Sequence, residues 1–188
     1  SDVCSSDLGK AILFESGIYA KIPADLPENL ALSALDVAGA PAQTAKLVKP
    51  GDTVVIIGAG GKSGMLCCYE AKKRAGVTGK VIGICHSERS TKRMMDLGFC
   101  DEVFSADATQ PVPVMKKIEE LTNGQMADVC INNVNIPDTE MTSILVTKNT
   151  GVVYFFSMAT SFTKAALGAE EVGSDVAMIV GNGNTKRH

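Results

Sequence analysis

Gly58, Gly61 and Gly64 follow the apolar run Thr53 to Ile57 at every third position, with Lys62 and Ser63 between the last two. Residues of these types at this spacing hold phosphate. Glycines let the backbone turn tightly and come close to an anion. A helix that starts there adds free N–H groups and the positive end of its dipole. Lys62 and Ser63, at the helix start, offer a cation and a hydroxyl to the same anion. Gly61-Lys62-Ser63 also suits the end of a P-loop, but that motif needs a glycine where Ile56 stands, so it is rejected. The strict G-x-G-x-x-G pattern fails as well, because Ser63 occupies its last glycine position. The reading that fits is a dinucleotide-binding turn; a tight strand-to-helix turn without a ligand is the plain alternative.

A dinucleotide needs a partner for its adenosine ribose at the end of the next strand, roughly 20 residues beyond the glycines. Cys85-His86-Ser87-Glu88-Arg89 stands there. Glu88 suits ribose hydroxyls and hence NAD. Ser87 and Arg89 suit a 2′-phosphate and hence NADP, and Ser87 is also a natural helix cap. Both cofactors stay open. Asp107-Ala108 follows the third strand, where an adenine ring would lie. Asn132 and Ser157-Met158 stand at the ends of two later strands, beside the switch point where a nicotinamide half would bind. Thr160-Ser161-Phe162-Thr163-Lys164 opens a helix with hydroxyls and a lysine. Ser161, Thr163 and Lys164 therefore form a candidate carboxylate site, against the alternative of an N-cap and a solvated lysine. Asp36 sits in the apolar stretch Leu35-Asp36-Val37-Ala38, which makes it a candidate buried base or amine anchor, against an aspartate on a helix surface.

Alternating strands and helices must position these residues. Strands are expected at 53–57, 80–85, 102–104, 127–132, 151–156 and 175–180, and helices at 63–75, 88–97, 112–121, 137–146 and 161–171. Upstream, residues 9–22 read as two short strands around Ser16-Gly17. A helix is expected from Pro27 to about Ala38, a break at Gly39-Ala40-Pro41, and a second helix over 42–48. Six strands joined by helices imply right-handed crossovers and a parallel sheet covered on both faces. With the glycine turn after the first strand, the expected fold is α/β: a doubly wound Rossmann sheet in the order 3-2-1-4-5-6. Residues 1–8 read as translated sequencing-adapter sequence and are set aside.

The chain of 188 residues is 45% hydrophobic, enough for one sizeable core. A net charge of -3 does not describe a nucleic-acid surface. No apolar run approaches the roughly 20 residues that span a bilayer, so no membrane partner is expected. Cys4, Cys67, Cys68, Cys85, Cys100 and Cys130 make no C-x-x-C pair, and only His86 and His188 add imidazole. Neither a disulfide framework nor a metal site is expected, and a reducing cytoplasm is.

Val48-Lys49-Pro50-Gly51-Asp52-Thr53-Val54-Val55, leading into the glycine turn, resembles the medium-chain dehydrogenase/reductase superfamily. Residues 9–20, 28–43 (ending Ala-Leu-Asp-Val-Ala-Gly-Ala-Pro-Ala-Gln), 61–67, 154–170 and 178–183 resemble, within it, the L-erythro-3,5-diaminohexanoate dehydrogenase family. Phe155 to Lys164 is the distinctive run. The resemblance implies that residues 9–46 are the end of a GroES-like catalytic domain and its connecting helix. It implies that 47–188 are a dinucleotide-binding domain without its C-terminal return, inactive alone. The implied activity is NAD-dependent oxidative deamination of a small amino acid, 3,5-diaminohexanoate, at carbon 3 in lysine fermentation, without catalytic zinc. On this basis Asp36 is expected to be the base or amine anchor, Glu15 a candidate for the second amine, and Ser161, Thr163 and Lys164 the carboxylate site. Pairing of the sixth strand across a homodimer is also implied.

Two other functions fit the residues. One is an NADP-dependent quinone or enoyl reductase of the same superfamily, in which Ser87 and Arg89 hold the phosphate and neither Asp36 nor Lys164 is needed. The other is a nucleotide-binding module without catalysis.

Overall fold

A computed structural model describes residues 21–181, apart from the side chains of residues 33–36. Glu15 and the strand pair expected around Ser16-Gly17 lie outside the described residues. Six strands form one parallel sheet: β1 (Thr53–Ile57), β2 (Lys80–Cys85), β3 (Glu102–Ser105), β4 (Ala127–Asn132), β5 (Thr147–Phe155) and β6 (Ala177–Val180). Their order is β3-β2-β1-β4-β5-β6, as expected for the doubly wound fold. Seven helices accompany them: α1 (Glu28–Val37), α2 (Gly39–Leu47), α3 (Lys62–Ala75), α4 (Glu88–Leu97), α5 (Pro111–Leu121), α6 (Glu140–Leu145) and α7 (Phe162–Glu171). Among the described residues no helix is long and apolar enough to cross a membrane.

The sheet is covered on both faces because β1 is apolar at every buried position. Successive strand residues point to opposite faces. Val54 and Ile56 join Cys67, Cys68 and Ala71 of α3 and Met94 of α4 in one core. Val55 and Ile57 join Ile118 of α5, Ile144 of α6 and Ala165 of α7 in the other. The small residues on α3 let that helix lie close to the strand whose glycine turn starts it.

Local chemistry sets the element ends. Ser87 caps α4 by accepting from the Ser90 N–H at 3.3 Å, with Ser90 reciprocating, and Gly98 closes the helix in the left-handed region at φ 65°. Four expectations are corrected. The expected break between two helices falls at Ala38, and Gly39-Ala40-Pro41 opens α2, because a proline in the first turn has no intrahelical N–H bond to lose. Helix α6 starts at Glu140 and not at 137, since Asp138 stands at φ 67°, outside the helical region. Strand β5 begins four residues early, at Thr147. Its polar start is held by an ion pair from Lys148 to Asp128 of β4, and the other Asp128 oxygen accepts the Thr53 N–H at 2.8 Å. Strand β6 begins at Ala177 and not at Asp175.

Burial also tunes the thiols. It pushes fully buried Cys130 from an ordinary 9.0 up to about 12, and Cys67 up to about 11. A thiol that ionises more readily in the unfolded chain stabilises the fold fully below its unfolded pKa and loses that contribution as pH rises towards the folded value. Resistance to urea is therefore expected to fall as pH rises from about 9 to about 11, and to fall less steeply in Cys130→Ala. Equal slopes in the two proteins would show that Cys130 does not contribute.

Candidate functional site

The glycine turn is built from three different demands. Gly58 ends β1 at φ 82°, a left-handed conformation that favours glycine, and a Cβ there would lie 2.8 Å from Val134 Cγ2. The N–H groups of Gly58 and Ala59 both donate to the Ile84 carbonyl at 3.0 Å, which pins the turn to β2. Gly64, in the first turn of α3, lies against the turn itself; a Cβ would collide with the Gly58 carbonyl and sit 2.8 Å from Ala59 Cα. Gly61 is the open position. It caps α3 in extended backbone, and a Cβ would meet only the Gly58 oxygen, at 3.4 Å. Gly61 is exposed at the start of α3, whose first N–H groups have no acceptor within the helix. Gly60, which the three-residue spacing passes over, packs on α4, where Arg93 donates to its carbonyl. Lys62 is exposed beside the turn and Ser63 is half-buried.

Two clefts flank the turn at the carboxyl ends of the strands. The larger, about 750 Å³, is lined by Ser63, Asn133, Asn135, Ser157, Thr160 and Phe162, among others. The smaller, about 260 Å³, lies towards β2 and β3 and is lined by Gly58, Cys85, His86, Asp107, Ala108 and Thr109, among others. Residues 133–136 form the wall between them. Asn133 and Asn135 face the larger cleft, and Val134 and Ile136 the smaller.

In the smaller cleft Asp107 accepts the Thr109 hydroxyl at 2.7 Å and the Thr109 N–H at 2.9 Å, which hold its carboxyl below the ordinary value. Ala108 lies beside it. Ser87, Glu88 and Arg89 are exposed at the start of α4 and do not line this cleft; Cys85 and His86 do. In the larger cleft Ser157 Oγ accepts the Ala159 N–H at 3.1 Å and donates to Asn135 Oδ1 at 3.5 Å. Met158 stands almost wholly exposed at the rim. Asn133 Oδ1 accepts the Cys67 thiol at 3.8 Å, while its Nδ2 is buried without a partner. Val37 also lines this cleft, so the helix that carries Asp36 reaches it; the Asp36 side chain lies outside the described residues.

Asn132 stands elsewhere than expected. It is fully buried, its Nδ2 donates to Thr139 Oγ1 and Ser143 Oγ at 2.9 Å each, and its Oδ1 accepts the Val134 N–H at 3.0 Å. With its polar atoms so engaged, it shapes the wall at 133–136 and lines neither cleft.

The expected carboxylate trio is not brought together in the larger cleft. Ser161 Oγ caps α7 by accepting the Lys164 N–H at 3.3 Å, and Thr163 is exposed. Lys164 pairs with Asp138, which raises the pKa of its ammonium, and lines a separate hollow of about 360 Å³ beside α6 and α7. Thr160 and Phe162 are the residues of this run that face the larger cleft. Sequence reasoning also passed over Glu140. It is 2% exposed, and its Oε1 accepts the Ser161 N–H at 2.7 Å. Nothing local marks a first-turn glutamate as buried; its partner lies 21 residues away. Among the described residues no group of three or more His, Cys, Asp or Glu side chains is placed to hold a metal ion.

The zinc-binding dehydrogenase family profile matches residues 63–175. L-erythro-3,5-diaminohexanoate dehydrogenase of Acetoanaerobium sticklandii is 64% identical to this chain, covering 96% of it and 52% of that protein. The protein of the same name from Fusobacterium nucleatum is 58% identical with the same coverage. The chain thus spans about half the length of these curated relatives. Alcohol dehydrogenase TADH from Thermus sp. ATN1 superposes with a TM-score of 0.63 at 20% identity, over 86% of this chain and 45% of that one, which shows a shared fold.

Proposed function

The chain belongs to the zinc-binding dehydrogenase family, and from that premise we propose that it is the dinucleotide-binding part of an enzyme that oxidatively deaminates L-erythro-3,5-diaminohexanoate with NAD. The products are 5-amino-3-oxohexanoate, ammonia and NADH, a reaction that suits lysine fermentation in a cytoplasm. The observation that carries the cofactor half is the cradle at Gly61, open on one side and flanked by two clefts at the switch point of the sheet. The substrate half rests on the 64% identity to a curated relative of that name.

In this reading the N–H groups at the start of α3, with Lys62 and Ser63, hold the pyrophosphate. The smaller cleft takes the adenosine, with Asp107 and Ala108 beside the base, and Ser87, Glu88 and Arg89, outside its lining at the start of α4, form the outer edge of the site. The larger cleft takes the nicotinamide, between Asn133 and Ser157. The nicotinamide, when bound, supplies the acceptor for the hydride of carbon 3. The substrate ammonium must first lose a proton, and Asp36 on α1 is the carboxylate assigned to take it. Water then hydrolyses the imine. The metal that the family's name implies has no donor set among the described residues.

Titration of the chain with NADH and NADPH tests the cofactor assignment. NADH is expected to bind at least about tenfold more tightly; the reverse ranking would reassign the outer edge to Ser87 and Arg89 holding a 2′-phosphate. In the enzyme at the full length of its relatives, Asp36→Asn is expected to lower kcat on diaminohexanoate about 100-fold with NADH affinity unchanged. Unaltered turnover would remove Asp36 from the base role.

A further inference from the structure

Glu140 occupies an unusual place. It is almost wholly buried at the first position of α6, and its Oε1 accepts the Ser161 N–H at 2.7 Å, one residue before α7 begins. A buried carboxylate is costly unless hydrogen bonds and positive dipoles surround it. Here the carboxylate meets the start of α7, whose N-cap residue Ser161 donates to it. Oε2 has no hydrogen-bond partner, so the bond from the Ser161 N–H is the hydrogen bond that the carboxylate makes.

That contact joins the two sides of the larger cleft. On one side, residues 133–139 run from the end of β4 to α6 and supply Asn133 and Asn135. On the other, residues 156–161 run from the end of β5 to α7 and supply Ser157, Met158 and Thr160. The ion pair of Asp138 with Lys164 ties the first segment to α7, but both partners are largely exposed, and exposed pairs contribute little. Ser157 bonds to Asn135 at 3.5 Å, too long to hold the loops alone. The bond from the Ser161 N–H to buried Glu140 is the short tether.

We propose that Glu140 is a positioning residue, which fixes the β5–α7 loop against the β4–α6 loop and thereby sets the width of the larger cleft. The role rests on the reading of that cleft as the nicotinamide end of a dinucleotide site. AMP fills only the adenosine end, so a comparison of NADH with AMP isolates the effect.

By calorimetry, Glu140→Ala is expected to weaken NADH about tenfold and to leave AMP within about twofold. Glu140→Gln keeps an acceptor for the Ser161 N–H, so NADH binding is expected to return to within about threefold of the parent. Amide exchange at Ser161 reads the tether without any ligand and is expected to quicken at least about tenfold in Glu140→Ala and to recover in Glu140→Gln. Unchanged exchange at Ser161 would overturn the tether. Equal losses of NADH and AMP, undiminished NADH binding in Glu140→Ala, or a Gln variant as weak as the Ala variant would overturn the positioning role. A parent chain that binds AMP no less tightly than NADH would instead sink the cofactor reading, and with it the part of the proposal that concerns the cleft.

Discussion

Gly61→Asp is expected to weaken NADH binding at least about 100-fold while leaving the melting temperature within about 2 °C of the parent. The two halves of that result have separate causes. A Cβ at Gly61 meets only the Gly58 oxygen, at 3.4 Å, so the fold has room for a side chain. The room is on the side from which a pyrophosphate would approach the start of α3. A carboxylate there takes the N–H groups and dipole for itself and repels an incoming anion. Aspartate is also a good N-cap, so the helix loses nothing by the exchange. Calorimetric titration with NADH and a melting scan of the same sample check both halves. Undiminished NADH binding would show that the cradle is only a tight turn.

The opposite pattern is expected at Gly64. Its added Cβ would strike the Gly58 carbonyl and Ala59 Cα, which are backbone and cannot rotate away. Gly64→Ala must therefore push α3 outward, and α3 carries Cys67, Cys68 and Ala71 into the core over β1. Overpacking of this kind costs about 3 kcal/mol. In a domain of this size that loss lowers the melting temperature by roughly 6–12 °C. A melting temperature unchanged by Gly64→Ala would mean that α3 yields more easily than the close packing of its first turn implies.

Much of the fold was legible because local rules and tertiary context agreed. Ser87 and Gly98 mark both ends of α4, and each does in the structure what its chemistry favours. The run Val54 to Ile57 is apolar throughout and is buried on both faces. The misjudged boundaries lie where a distant partner decides. The polar start of β5 joins the sheet because Asp128 receives Lys148, and no alternation along 147–150 announces that. The site divides in the same way. The glycine positions are constrained by backbone geometry, which sequence spacing encodes directly. Asn132 and Lys164 are constrained by Thr139, Ser143 and Asp138, and a residue's type does not say which neighbour will claim it. Glu140 shows the limit most plainly, since a surface glutamate and a buried tether look alike in a first turn.

The wall at residues 133–136 has a consequence for how preferences change over generations. Odd positions address one compartment and even positions the other. If the two clefts take the two ends of one dinucleotide, as proposed, adjacent codons carry instructions for opposite ends of one ligand. A library randomised at 133 and 135 alone would explore the reacting end, and one randomised at 134 and 136 alone the nucleoside end, on an unchanged scaffold. Four consecutive codons thus act as two interleaved addresses, and a lineage can revise one selectivity without rewriting the other.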